Sequence, residues 1–388
     1  MRTTCRHRKR GWETRTALAL GLCVSSIVPA AASQISGGNQ PQILDSGDVD
    51  KAKGLSVFDS ASFLVVPMPV SSPATGPGGA LVGAMFFKLD DSKPSTVGLG
   101  AFYLSNGSWG GGLLGNFAFD QDRYLAKGML GYADINYDFF GVGQFASDTP
   151  VHLNQTGSMV KAQGQGRVAD NLYLGVSFRY LNLVTTFTNP VHAGDILGDA
   201  FPVPKLVNKV YTLSLVLTYD SRDRSFSPTS GQLIDAEFAA SGRNFISTSS
   251  YFKTTADYDR YDSLSDDLVL ASRLSFCDAG GQVPIFDLCM FGANNDLRGY
   301  AVGRYQDHAL IAGQTELRWH AFWRIGFVAF AGAGTVGPSI NGFDKALASA
   351  GGGIRFLASK DYGVNVGVDG AVNRDGEWSY YIQVGEAF

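Results

Sequence analysis

At the end of this chain an apolar residue returns at every second position. Trp378, Tyr380, Ile382, Val384 and Phe388 share one face, and Ser379, Tyr381, Gln383, Gly385 and Ala387 share the other. A period of two suits an extended strand and no helix. Glu386 breaks the apolar face near its end, where a charge at lipid-headgroup level is tolerated. The same alternation recurs upstream. Leu172, Leu174, Val176, Phe178 and Tyr180 interleave with Gly175, Ser177 and Arg179, and Tyr211, Leu213, Leu215, Leu217 and Tyr219 with Thr212, Ser214 and Thr218. Ile234, Ala236 and Phe238 oppose Asp235 and Glu237, and Leu317, Trp319 and Ala321 oppose Gln314, Glu316, Arg318 and His320. Val364, Val366 and Val368 oppose Asn365, Gly367 and Asp369.

Such strands need an apolar medium on one side and water on the other. A soluble sandwich satisfies this, and so does a membrane barrel. Two features favour the barrel: aromatics bound the apolar faces as an interfacial girdle would, and the opposite faces mix charge with Gly as a wet lumen allows. The fold expected is all-β, a transmembrane antiparallel β-barrel. With 48 Gly and only 17% charged residues, the composition suits twisted strands better than helices. The net charge of −4 comes with no basic stripe, so nucleic-acid binding has no electrostatic footprint.

The other end of the chain points to export. Arg2, Arg6, Arg8, Lys9, Arg10 and Arg15 precede an apolar run from Ala17 to Val28, then Pro29 and Ala30-Ala31-Ala32. Residues 1–32 read as a signal peptide. The alternative, a short membrane anchor, has too few apolar residues to span as a helix. Residues 33–60 are a polar lead-in, too few for a separate periplasmic domain, and residues 61–388 form the barrel.

Sixteen periodic segments are expected: 61–71, 79–90, 95–105, 107–120, 121–140, 152–169, 170–188, 206–221, 230–243, 247–261, 265–278, 306–323, 324–337, 346–359, 360–373 and 376–388. An even count puts both termini on the periplasmic side. Residues 189–205 and 279–305 then become long external loops. Pro67 and Pro69 cannot donate to a ladder, so a weakly paired seam is expected between the first and last strands.

Cys277 and Cys289 remain after the signal is removed. In an exported chain they read as a disulfide, the alternative being two reduced thiols. Histidines are scattered, so no metal site or cofactor is expected. No paired carboxylates and no Ser/His/Asp arrangement stand out, so no enzyme is expected. Gly110-Gly111-Gly112-Leu113-Leu114-Gly115 matches a phosphate-loop spacing, but no helix follows it.

Two motifs remain. Leu297-Arg298-Gly299-Tyr300 lies in the longest loop, where Gly permits a tight turn and the guanidinium seeks a carboxylate. The plain alternative is a surface loop. Asp220, Arg222 and Asp223, followed by Pro228 and Gly231, form a polar turn between two clear strands.

In this order, with the terminal Tyr381 to Phe388, these residues resemble the bacterial surface antigen family of outer-membrane protein assembly factors and two-partner-secretion transporters. The resemblance covers roughly 60–388 and is strongest from 206 onward. It implies a sixteen-stranded barrel whose sixth external loop folds inward and carries the Leu297–Tyr300 tip. It makes Glu316 the lumen partner of Arg298. The family's aspartate on the next strand is Gly332 here, which leaves Arg298 to Glu316 or another carboxylate. Phe388 takes the place of the family's C-terminal assembly signal. The resemblance also implies outer-membrane lipid and unfolded outer-membrane or secreted proteins as partners. The function expected is insertion or translocation of proteins at the outer membrane. The alternative is a passive pore, structural barrel or surface anchor.

Overall fold

The computed structural model describes residues 62–72, 76–93, 95–143, 150–187, 205–224, 227–242, 247–292, 296–301, 303–359 and 364–388. The signal peptide, the lead-in and nearly all of the loop at 189–205 lie outside the described residues.

The strands are β1 (Ser62–Ser72), β2 (Gly76–Phe87), β3 (Ser95–Leu104), β4 (Trp109–Phe119), β5 (Tyr124–Phe139), β6 (Val151–Ala169), β7 (Leu172–Phe187), β8 (Lys205–Asp220), β9 (Gly231–Ser241), β10 (Tyr251–Ser265) and β11 (Leu268–Gly281). A long connection follows, with a 3-10 turn at Ile285–Asp287 and two short strands, β12 (Cys289–Met290) and β13 (Gln306–Asp307). Then come β14 (Ala309–Phe322), β15 (Ile325–Gly337), β16 (Leu347–Ser359), β17 (Val364–Asn373) and β18 (Trp378–Val384).

All except β12 and β13 form one 16-stranded antiparallel sheet in chain order. The sheet curls so that distant strands meet across its interior; Asn365 on β17, for example, reaches Ser227 in the β8–β9 turn at 3.4 Å. Each strand is laddered to its sequence neighbour, but among the described residues no ladder joins β1 to β18.

The alternation places side chains as a membrane barrel requires. Val176, Leu215, Trp319 and Val368 point outward and are exposed, while Ser177, Ser214, Glu316 and Asp369 point inward and are buried. Turns at the end that holds both termini are short, such as 170–171, 266–267 and 323–324. The opposite end carries the long connections 188–204 and 282–308. That asymmetry makes the short-turn end periplasmic.

Strands β5 to β8 run for 16, 19, 16 and 16 residues, beyond the roughly 9–11 that span a bilayer. Above Tyr132, Tyr180 and Tyr211 their polarity inverts. The outward face of β5 changes from Leu130 and Tyr132 to Asp134, Asn136 and Asp138. On the inner side Phe139, Val151, Leu153 and Phe187 close into an apolar cluster with Tyr137 and Leu206. The inversion marks the level where water replaces lipid outside the wall.

The C-terminus corrects one expectation. β18 ends at Val384, and Gly385 adopts a left-handed φ of 88° that breaks the alternation. Glu386 therefore turns inward rather than lying at headgroup level, and accepts hydrogen bonds from Arg355 (2.8 Å) and Asn365 (2.6 Å). Phe388 does not face lipid either; it is buried against Tyr261, Ala271 and Ala387. The guanidinium carbons of Arg273 and Arg318 lie 5.0 and 5.4 Å from its ring centroid. Arginines on the lumen wall capture a tail that the period alone would send outward.

Candidate functional site: an arginine lock inside the barrel

The connection between β11 and β14 folds into the lumen. Its base is tied covalently, Cys277 on β11 being disulfide-bonded to Cys289 with the Cα atoms 5.7 Å apart. Leu297, Tyr300 and Phe291 are fully buried in a cluster with Leu310, Val336 and Leu347 from the wall. Each such side chain contributes about 1.5–3 kcal/mol by leaving water. The Tyr300 hydroxyl donates to the carbonyl of Ala348 at 2.9 Å.

Gly299 has a φ of 108°, and a Cβ there would come within 2.9 Å of Ser349 Cβ. Only glycine combines that backbone with so close an approach to the wall. The Gly299 N–H donates to the hydroxyl of Tyr381 at 2.6 Å.

This turn delivers Arg298 to the wall. Its guanidinium donates to Glu316 on β14 (2.5 Å) and Asp369 on β17 (2.6 Å). Both its Nε and its backbone N–H donate to Gln314 Oε1 at 3.3 Å. The ring of Phe330 on β15 lies under the guanidinium, 3.5 Å from centroid to Cζ, a cation–π contact. Two further arginines complete the network. Arg318 donates to Glu316 at 2.7 Å and to the main-chain oxygen of Phe388 at 2.7 Å. Arg355 donates to Glu386 and to both oxygens of Asp369. Arg298, Arg318 and Arg355 are thus balanced by Glu316, Asp369 and Glu386, all of them buried. A buried charge persists only when paired and hydrogen-bonded, and here every one is.

The carboxylate that the family pattern places at position 332 is supplied instead from β17. A Cβ on Gly332 would lie 2.6 Å from the Gly313 carbonyl and 2.8 Å from Leu297 Cδ1, so the docked loop leaves no room there. Asp369 takes its space across the ladder from Gly353, its register partner. The alternation had already put Asp369 on the lumen face. Its meeting with Arg298, 71 residues away in sequence, had no local signal. Arg355 and Gln314 carry no local signal either, because each contributes through barrel curvature rather than through a motif.

The polar turn forms a separate structure at the periplasmic end. Arg222 grips Asp220 with two bonds of 2.8 and 3.1 Å. Asp223 accepts from the N–H groups of Thr229 (2.9 Å) and Ser230 (3.1 Å) and from the Thr229 hydroxyl (2.7 Å). Burial works to raise the Asp223 carboxyl, but these bonds hold it below its ordinary range. Pro228 is buried, and Gly231 turns the chain with a φ of 99°. Ser227 and Asn365 link the turn to Glu386 of the arginine network.

No group of three or more potential metal ligands occurs among the described residues. No curated protein matches the chain in sequence. Three solved structures share the fold. BamA from Haemophilus ducreyi lacking POTRA domains 1-3 is 15% identical with a TM-score of 0.55, covering 84% of this chain and 68% of that one. CdiB from Escherichia coli is 13% identical with a TM-score of 0.59, covering 84% and 62%. CdiB from Acinetobacter baumannii is 10% identical with a TM-score of 0.55, covering 84% and 59%. The chain thus spans about three-fifths to two-thirds of the length of these relatives. The Omp85 superfamily domain matches residues 145–367, more than half of the sequence and the stretch that holds the loop and most of its docking wall. The chain belongs to the Omp85 superfamily, and its barrel is one of the bacterial outer membrane.

Proposed function

We propose that this barrel assists the insertion or translocation of unfolded proteins at the outer membrane, with the Arg298 lock holding its inward loop in place. The reading rests above all on the two ends of the sheet. Neighbouring strands elsewhere are laddered, while among the described residues β1 and β18 share no ladder. An edge without a ladder is one a client strand would join by β-augmentation. Pro67 and Pro69 in β1 have no N–H to give a ladder, which keeps that edge weak. On this reading Phe388 is the barrel's own assembly signal, and its burial follows once folding is complete. The chemistry is non-covalent and uses no cofactor.

A second reading, a closed structural barrel or surface anchor, draws on the loop itself. Buried ion pairs hold the loop across the lumen and would make the barrel rigid. Reconstitution into liposomes separates the two. Insertion of an unfolded client barrel is timed with the wild-type chain, with Arg298→Ala and with empty liposomes. Faster insertion by wild type, lost in the variant, supports the assembly role. A rate equal to that of empty liposomes rejects it in favour of the structural reading.

A further inference from the structure

The loop has a second anchor, far from its tip. Between Gly281 and Cys289 the chain passes over the inner face of the long strands. Val283 and Phe286 pack on Met159, Leu181, Val210 and Tyr251, and Ile285 enters the cluster of Phe139, Val151, Leu153 and Phe187. Asp287, buried beside them, accepts from Arg179 on β7 (Nη1 at 3.1 Å, with a second bond from Nη2) and from the hydroxyl of Tyr251 on β10. Lys253 lies 3.6 Å from the same carboxylate and donates to the Asp287 carbonyl at 2.9 Å. Burial by itself would raise the Asp287 carboxyl; Arg179 and Lys253 outweigh it and hold the group well below the usual carboxylate range. The far end of the loop returns to the same side, where Gly143 bridges Gln306 and the Gln306 amide donates to the Gly141 carbonyl at 3.3 Å.

The two anchors sit on different strands: only β11 separates β10 from β14, while seven strands lie between β7 and β17. The tip holds β14 and β17, while the root holds β7 and β10. In a curled sheet the outer two, β7 and β17, lie on different sides of one lumen. We propose that the loop is a two-point strap: Asp287, gripped by Arg179, Tyr251 and Lys253, is a second lock that holds the loop root independently of Arg298. Release of the tip alone leaves the root seated, so the lumen stays obstructed. Widening of the gap between β1 and β18 has to stretch the strap or break one of its anchors. The proposal does not depend on an insertase activity, because a strap would brace a passive barrel equally.

The test uses the full chain in planar bilayers and in limited proteolysis, with Arg298→Ala, Asp287→Ala and the double variant. Arg298→Ala should open 296–305 to cleavage and leave 282–290 protected; Asp287→Ala should do the reverse. The double variant should expose both segments and conduct about tenfold more than either single, the non-additivity of two braces on one element. Exposure of the whole loop by Arg298→Ala alone, at the double variant's conductance, would overturn the proposal. If Asp287→Ala does not fold, shown by loss of heat-modifiable migration, the exchanged pair Arg179→Asp with Asp287→Arg decides. Recovered protection of 282–290 supports the second lock, and an unprotected root rejects it.

Discussion

Two walls of this barrel face the same lumen with opposite equipment. The wall of β14 to β18 presents Gln314, Glu316, Arg318, Phe330, Arg355, Asp369 and Tyr381, and nearly all of them touch the loop or a residue that does. The wall of β2 to β5 presents Val82, Gly100, Gly112 and Gly131 in one row across four strands, with Ala84, Gly98, Leu114 and Met129 in the next. Long ionic side chains reach into the lumen and hold something there. The glycine-rich and apolar rows offer no ionic group to Arg298, and glycine weakens the strands that carry it. The loop tip docks on β14 to β17 because those strands carry the ionic groups that receive Arg298.

The sharpest test of that contrast is Arg298→Ala. It leaves Glu316 to Arg318 and Asp369 to Arg355, with one carboxylate more than guanidinium groups in a buried site, and removing one partner of a buried pair costs about 3–5 kcal/mol. The thermal midpoint of the folded barrel should fall and the loop tip should become cleavable. An unchanged midpoint with an intact loop would mean that the lock does not hold it. Gly332→Asp restores the family's carboxylate on the equipped wall but drives a side chain into Leu297 and the Gly313 carbonyl. Overpacking of this kind costs about 1–3 kcal/mol, so the variant should be less stable and its loop tip more exposed to protease. A stabilised protein would show that the docked tip leaves more room than its geometry implies. On the wall of β2 to β5, Leu114→Ala removes a half-buried side chain and should cost about 1 kcal/mol, well below the core range, with loop cleavage unchanged. Loop exposure in that variant would erase the distinction between the walls.

A further expected effect is that of pH. Asp296, in the loop beside the lock, accepts from the N–H groups of Gly292 (2.7 Å) and Leu297 (3.0 Å). Burial pushes its carboxyl up to about 7. A folded-state value raised above the ordinary one of 3.8 penalises the docked loop once the group ionises. The penalty is absent below about pH 4, grows to about pH 7 and is constant above it. Loop cleavage at pH 8 should therefore be modestly faster than at pH 5, and Asp296→Asn should flatten the difference. Slower cleavage of the wild type at pH 8 would contradict this sign.

Much of the barrel was legible before any coordinates. The segments expected at 152–169, 206–221 and 324–337 match β6, β8 and β15 to within a residue or so, because successive side chains on a strand alternate whatever lies around them. The segment expected at 247–261 is Tyr251–Ser265 instead. Ser247 and Thr248 are drawn off the ladder to bond Tyr211 and Lys209, which sequence pattern does not register. Glu316 was placed on the lumen face and named as partner to Arg298, the first by alternation and the second by resemblance.

Sequence by itself therefore determined the class of fold, the number of strands, which residues face lipid and which face water, and the loop that carries the arginine. Each follows from a period or motif confined to neighbouring residues. Tertiary structure alone decided that Asp369 replaces the carboxylate missing at Gly332, that Glu386 and Phe388 turn inward, and that Asp287 anchors the loop root. In each case the partners lie on strands distant in the chain, and curvature of the sheet brings them within hydrogen-bond or ring-contact reach. Ion pairs form between whichever charges share a dry site, and no local pattern specifies which those will be.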